Sequence, residues 1–126
     1  MIVVYDAGAL IAAEKSSVRI HRLARKIAEA GRRPAVPTVV AAQVLRNPAR
    51  QVRLLRFLRA AELEAFTSET ASRVGRILAA SGTSDVVDAA VVDLAHRAGA
   101  LIVTSDPGDI GMLITAMGWR IPVSTL

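Results

Sequence analysis

The run ALIVTSDPGDI (residues 100–110) is apolar until it ends in two aspartates, Asp106 and Asp109, with proline and glycine between them. The N-terminal run IVVY ends the same way, at Asp6. Asp85 and Asp88 open another apolar segment, DVVDAAVVDLAHRAGA. Carboxylates brought together repel one another, and each unpaired one is costly to take out of water. A positive group must therefore stand among them. Arginine can serve, but a set of oxygen ligands with neither His nor Cys is the chemistry of Mg²⁺, with Mn²⁺ as a substitute. A hard dication held this way keeps part of its water shell, aligns a phosphate and lowers the pKa of an attacking water.

Such chemistry requires elements that bring distant residues together. IVVY and LIVTS read as strands buried on both faces, because they are β-branched and apolar without alternation. RPAVPTV reads as a third strand, ELEAFTS as a weak edge strand and RIPVST as a last one. Between them fall helical stretches. The first lies near residues 9–13. The second runs from Ser17 to Ala30 with Val18, Leu23, Ile27 and Ala30 on one side, and is stopped by Gly31. A helix capped by Thr38 carries Gln43, and RNPAR breaks it, with Asn47 as N-cap and Pro48 at the first position of a new helix reaching Ala61. Residues 69–81 form a further helix ending at Gly82, DVVDAAVVDLAHRA another ending at Gly99, and residues 107–118 a last short one. Strand alternating with helix implies a mostly parallel sheet covered on both faces and joined by right-handed crossovers. The C-terminal ends of parallel strands share one edge, so Asp6 and Asp106 become neighbours, at the edge where open α/β sheets bind ligands. A helix packed on that sheet carries Asp88 to the same edge.

Composition narrows the function further. The chain has 126 residues, consistent with one domain spanning 1–126 that buries its core without disulfides or a structural metal. Cysteine is absent, and Met1 leads directly into an apolar run broken early by Asp6, which fits neither a signal peptide nor a membrane span. A cytoplasmic protein is expected. Sixteen basic residues, fourteen of them arginine, face eleven acidic ones for a net charge of +5, which points to a polyanionic partner. With one Trp, one Tyr and two Phe, affinity for a nucleic acid rests on phosphate contacts. Arg50, Arg53 and Arg56 form one arc of the helix from Pro48, with Val52, Leu54, Leu55 and Leu58 opposite, either as a track for an RNA backbone or as a solvated face.

The segments IVVYDAGALIA, VPTVVAAQVLR and SDVVDAAVVDLAHRAGALIVTSDPGDI together resemble PIN-domain ribonucleases, in particular the VapC-type toxins of bacterial toxin–antitoxin pairs. The resemblance implies a three-layer α/β/α sandwich and a Mg²⁺-dependent endoribonuclease leaving 5′-phosphate and 3′-hydroxyl ends. It also implies a homodimer and a cognate antitoxin that blocks the site. By position, Asp6, Asp88 and Asp106 match the family's metal-holding acids. Asp109 occupies a slot that often supplies another, and Thr104 matches a hydroxyl position beside the site, assigned with Arg50 and Arg53 to the substrate. Where the family has glutamate on the second helix this chain has Gln43, which can coordinate through its carbonyl oxygen but brings no charge and is no base.

Each feature has a plainer reading. Asp85 suits a helix N-cap as well as a ligand, Asp88 a first-turn residue favoured by the helix dipole, and Asp106 a turn before proline. Asp93 and Arg97 read as a solvated i, i+4 pair, and His21 and His96 as ordinary surface residues. A phosphoacceptor receiver domain shares the size and the clustered aspartates but needs a lysine near its last strand, and the only lysines are Lys15 and Lys26. The remaining alternative is a catalytically weak or inactive PIN-like module that binds RNA or an antitoxin without cutting, a reading that Gln43 sustains.

Overall fold

Five strands pair, all in parallel, in the order β3-β2-β1-β4-β5, where β1 is Ile2–Tyr5, β2 Arg33–Pro37, β3 Glu62–Glu64, β4 Leu101–Thr104 and β5 Val123–Thr125. The computed structural model describes residues 2–126, so Met1, part of the expected first strand, lies outside the described residues. Among the described residues seven helices connect the strands: α1 Ala7–Glu14, α2 Val18–Glu29, α3 Thr38–Val44, α4 Val52–Arg59, α5 Ser68–Ser81, α6 Val86–Ala98 and α7 Pro107–Met117. No described helix is long and apolar enough to cross a membrane.

The chain lays β2 and β3 to one side of β1, then returns to place β4 on the other side and β5 beyond it. Right-handed crossovers in opposite directions put their helices on opposite faces. Accordingly α6 lies across β1, β2 and β4 with α5 and α7 against it, while α2 packs on β2, α4 on β3, and α1 against both of those helices. The result is the expected α/β/α sandwich. Val3, Val4, Tyr5, Ile102 and Val103 on the two central strands are completely buried, as their unbroken apolar runs require. Each such side chain contributes about 1.5–3 kcal/mol through burial. Tyr5 meets Phe57 of α4 edge-on, with ring centroids 5.0 Å apart.

Three local expectations are corrected. The helix expected from Pro48 to Ala61 is two pieces: a 3-10 turn, Pro48–Arg50, and then α4. Gln51 causes the break. Its buried side-chain oxygen accepts from the amides of Arg46 and Asn47, and its nitrogen donates to the Val44 carbonyl and to Glu14. Asn47 stands at the N-cap position before Pro48, as expected, but makes no cap bond, and Thr38 does not cap α3 because it is already the first residue of that helix. On α2 the buried positions are Ile20 and Ile27, spaced by two turns, and Val18 is 61% exposed.

Candidate active site

The site forms where the strand order reverses. Tyr5 of β1 pairs with Val103 of β4, and the Asp6 amide donates to the Val103 carbonyl at 3.2 Å. Loops leaving adjacent strands there turn to opposite faces and open a crevice at the strand C-termini. Asp6 sits in it, only 4% exposed. One carboxylate oxygen caps α1 by accepting from the Ala9 amide at 2.9 Å, and the other accepts the Thr104 hydroxyl. This cap starts α1 at Ala7, two residues earlier than apolar spacing alone predicts.

Thr104 is fully buried, and its oxygen also accepts the Asp106 amide at 2.8 Å. It therefore joins Asp6 to Asp106 from beneath. This hydroxyl, expected to bind the substrate, is without exposure and is hydrogen-bonded to both acids' segments. Asp106 caps α7, its Oδ1 accepting from the Asp109 amide at 3.4 Å, with Pro107 at the first helical position. Asp85 caps α6 in the same way, accepting from the Asp88 amide at 3.0 Å. Asp85 is thus the N-cap of its plainer reading, and Asp106, read plainly as a turn before proline, is an N-cap as well.

The neighbouring charges show in how the carboxyls titrate. Burial, reinforced by the charges of Asp85, Asp6, Asp109 and Asp106, pushes Asp88 up to about 6. Burial also raises Asp6, with the Asp106 charge adding to it, against the lowering effect of the hydrogen bonds from Thr104 and Ala9. Asp109 is raised chiefly by its hydrogen bond and charge interaction with Asp106. Among the described residues no arginine or lysine forms an ion pair with Asp6, Asp88 or Asp109. Beside them lies a cleft of about 270 Å³ lined by Thr83, Ser84, Asp85, Asp88, Asp109 and Met112. A larger cavity of about 680 Å³ lies between α2 and α4, among Tyr5, Ile27, Arg32, Arg33, Phe57 and Arg59, and none of Asp6, Asp88, Asp106 and Asp109 lines it.

Hydrogen bonds link Asp6, Thr104, Asp106 and Asp109 in succession, and the charges of Asp6, Asp85, Asp106 and Asp109 act on Asp88. Gln43 is exposed on α3 and is held by no hydrogen bond to a described residue. Arg50 and Arg53 stand apart, lining a separate hollow with Glu14 and Gln51. The arginine arc is divided, with Arg50 on the 3-10 turn and Arg53 and Arg56 on α4. Asp93 is not a solvated partner of Arg97. It is 1% exposed and bridges Arg73 of α5 at 2.9 Å and Arg97 at 3.0 Å. Sequence reading also misses an approach between α1 and the loop after β4. A Cβ on Gly8 would stand 2.8 Å from Ser105 Cβ and 3.4 Å from Asp6 Oδ1, in the space the Ser105 hydroxyl occupies. Only the glycine permits it, and no periodic signal announces it.

The donor set fits a hard divalent cation in kind: carboxylate oxygens that repel one another, without a cysteine or, among the described residues, an ion-paired arginine or lysine. Among the described residues no three Asp, Glu or His side chains already stand at separations that would chelate one ion.

The PIN domain family matches residues 3–108 of the chain. No curated protein matches it in sequence. Among solved structures, the fold resembles a chain in the crystal structure of VapBC2 from Rickettsia felis bound to a DNA fragment from their promoter. The TM-score is 0.77 at 16% identity, covering 100% of this chain and 99% of that one.

Proposed function

The chain belongs to the PIN-domain family, and from that premise we propose that it is an endoribonuclease, dependent on Mg²⁺ or Mn²⁺, that acts as the VapC-type toxin of a toxin–antitoxin pair. The observation that carries this reading is the junction at the C-terminal ends of β1 and β4, where buried Thr104 joins Asp6 to Asp106 beside Asp88, whose carboxyl is pushed up to about 6 by burial and by the charges of neighbouring aspartates. Asp6, Asp88 and Asp106 would hold a divalent cation, which when bound would supply charge neutralisation and Lewis acidity at the scissile phosphate. Hydrolysis would form a bond between phosphorus and the water oxygen and break the one to the 3′ oxygen, which gains the proton that the water gives up, leaving 5′-phosphate and 3′-hydroxyl ends.

The chain's own residues set the geometry for this step. Thr104 and the Ala9 amide fix the Asp6 carboxylate, and Thr104 also fixes the Asp106 backbone, so the two acids hold their separation without reorganising. Asp109 stands at the exposed rim, and Gln43, on α3, offers a neutral carbonyl oxygen. Arg50, Arg53 and Arg56, outside the acid cluster, bind phosphates of the RNA strand away from the cut. The fold shared with the VapBC2 chain supports a cognate antitoxin as partner, and the family resemblance supports a homodimer in the cytoplasm.

The test is cleavage of RNA by purified protein with Mg²⁺, with the metal chelated, and with Asp6→Asn. Cleavage that requires both the metal and Asp6 is expected. Cleavage undiminished in folded Asp6→Asn would refute the assignment. The observation that Gln43 brings no charge favours a second reading, a module that binds RNA or antitoxin without cutting. Absence of Mn²⁺ binding at millimolar concentration by calorimetry selects it.

A further inference from the structure

Resting on the nuclease reading above, we propose that the Ser105 hydroxyl contacts the scissile phosphate, donating a hydrogen bond to one of its non-bridging oxygens. Three consecutive residues divide the work at the end of β4. Thr104 turns inward and is spent on Asp6, and Asp106 turns along the chain to cap α7. Ser105, between them, is exposed, and its hydroxyl has no hydrogen-bond partner among the described residues.

Its position is nevertheless fixed. The Ser105 side chain lies against the Cα of Gly8, in the space a side chain at position 8 would fill, and Asp6 Oδ1 lies within 3.4 Å of that same space. The backbone on either side is anchored by buried Thr104 and by the Asp106 cap. A hydroxyl so placed is a preorganised donor beside carboxylates that can only accept. A phosphodiester entering among those acids needs a donor for its oxygens, and this hydroxyl meets that need at the corner between Asp6 and Asp106. Because negative charge builds on those oxygens as water adds, the bond strengthens in the transition state and its loss falls on kcat more than on KM.

The geometry supplies its own control, since the hydroxyl can be moved from one chain segment to the other. S105A removes the oxygen and keeps the Cβ. S105G clears the space, and G8S/S105G returns a hydroxyl to the same corner from α1. S105A and S105G are expected to lose roughly ten- to hundredfold in kcat on an RNA oligonucleotide with KM little changed. G8S/S105G is expected to recover most of the loss. G8S alone is expected to melt at a lower temperature than wild type, because its Cβ meets Ser105, and S105G to restore the melting temperature. Wild-type kcat in S105A, or a folded G8S/S105G no faster than S105G, overturns the inference while leaving the nuclease reading intact. A wild-type protein that cleaves no RNA removes that reading and this inference together.

Discussion

Thr104 donates its hydroxyl hydrogen to the Asp6 carboxylate across 98 positions of sequence, and the same oxygen accepts the Asp106 amide. One buried threonine on β4 therefore sets the spacing of two acids that belong to different strands. Replacing it by valine keeps the shape and removes both bonds. Thr104→Val is expected to lose about 1–3 kcal/mol of stability at pH 7, because a buried carboxylate and an amide lose their partner. The sign with pH follows from the direction of the Asp6 shift. Burial raises the folded carboxyl, so its native state favours the proton, and losing the Thr104 bond raises it further. The penalty should shrink as the pH falls and Asp6 protonates. Urea denaturation at pH 7 and pH 4.5 checks this, and an equal loss at both would show that the threonine acts only by packing.

Asp88 should be the most readily seen of the acids. In metal-free protein its carboxyl is expected to titrate at about 6 by NMR. An unperturbed aspartate titrates near ~3.9, so the folded state holds this proton more tightly. The stability this group contributes is then full below about pH 4 and is lost as the pH rises through about 6. Asp88→Asn should make the metal-free protein more stable at pH 7, by on the order of 1 kcal/mol once solvent screening of this half-buried group is allowed for, and should make no difference at pH 3.5. A less stable variant at pH 7 would show that no repulsion is stored there.

Gln43 tests how much charge the site lacks. Gln43→Glu adds a carboxylate on exposed α3 and is expected to tighten Mn²⁺ binding on the order of tenfold, since affinity for hard cations rises with ligand charge. Calorimetry of wild type and variant measures it directly. An unchanged affinity would place residue 43 outside the metal's reach.

Asp93 is expected to matter for stability and not for cleavage. It is enclosed by Arg73 and Arg97, and Arg97 also reaches Glu64 of the edge strand at 3.5 Å, so one carboxylate ties α5 to α6 and, through Arg97, to β3. Asp93→Asn should cost about 3 kcal/mol, at the low end for a broken buried pair because both arginines still reach water. Cleavage per folded molecule should be retained. A fully active variant of unchanged denaturation midpoint would mean that the bridge contributes nothing.

Much of this architecture was legible in the residue order. The unbroken apolar runs of β1 and β4 can only be strands covered on both faces, and alternation with helices then demands a parallel sheet. That argument already places Asp6 and Asp106 on one edge, and α6 is bounded by its own caps, Asp85 and Gly99, the latter in the left-handed conformation with φ 61°. What periodicity misjudged were contacts supplied by other segments. Asp93 and Arg97 have the spacing of a surface pair, yet Arg73 arrives from α5 and buries the aspartate. Gln51 has no local signature, yet its side chain ends one helix and begins the next because Glu14 and the Val44 carbonyl lie within reach.

Sequence alone therefore determined which side chains carry charge and which strands lie inside, since both follow from residue type and from spacing along a single element. Tertiary structure alone decided which of those charges face one another. It turned Thr104 inward and Ser105 outward at adjacent positions, left Gly8 bare where Ser105 needed room, and set Asp88 within reach of acids on other segments. The reason is physical. Hydrophobic periodicity records only how one element meets the core, whereas electrostatic coupling depends on distances between elements, which exist only once the sheet has closed its order and the crossovers have fixed their hand.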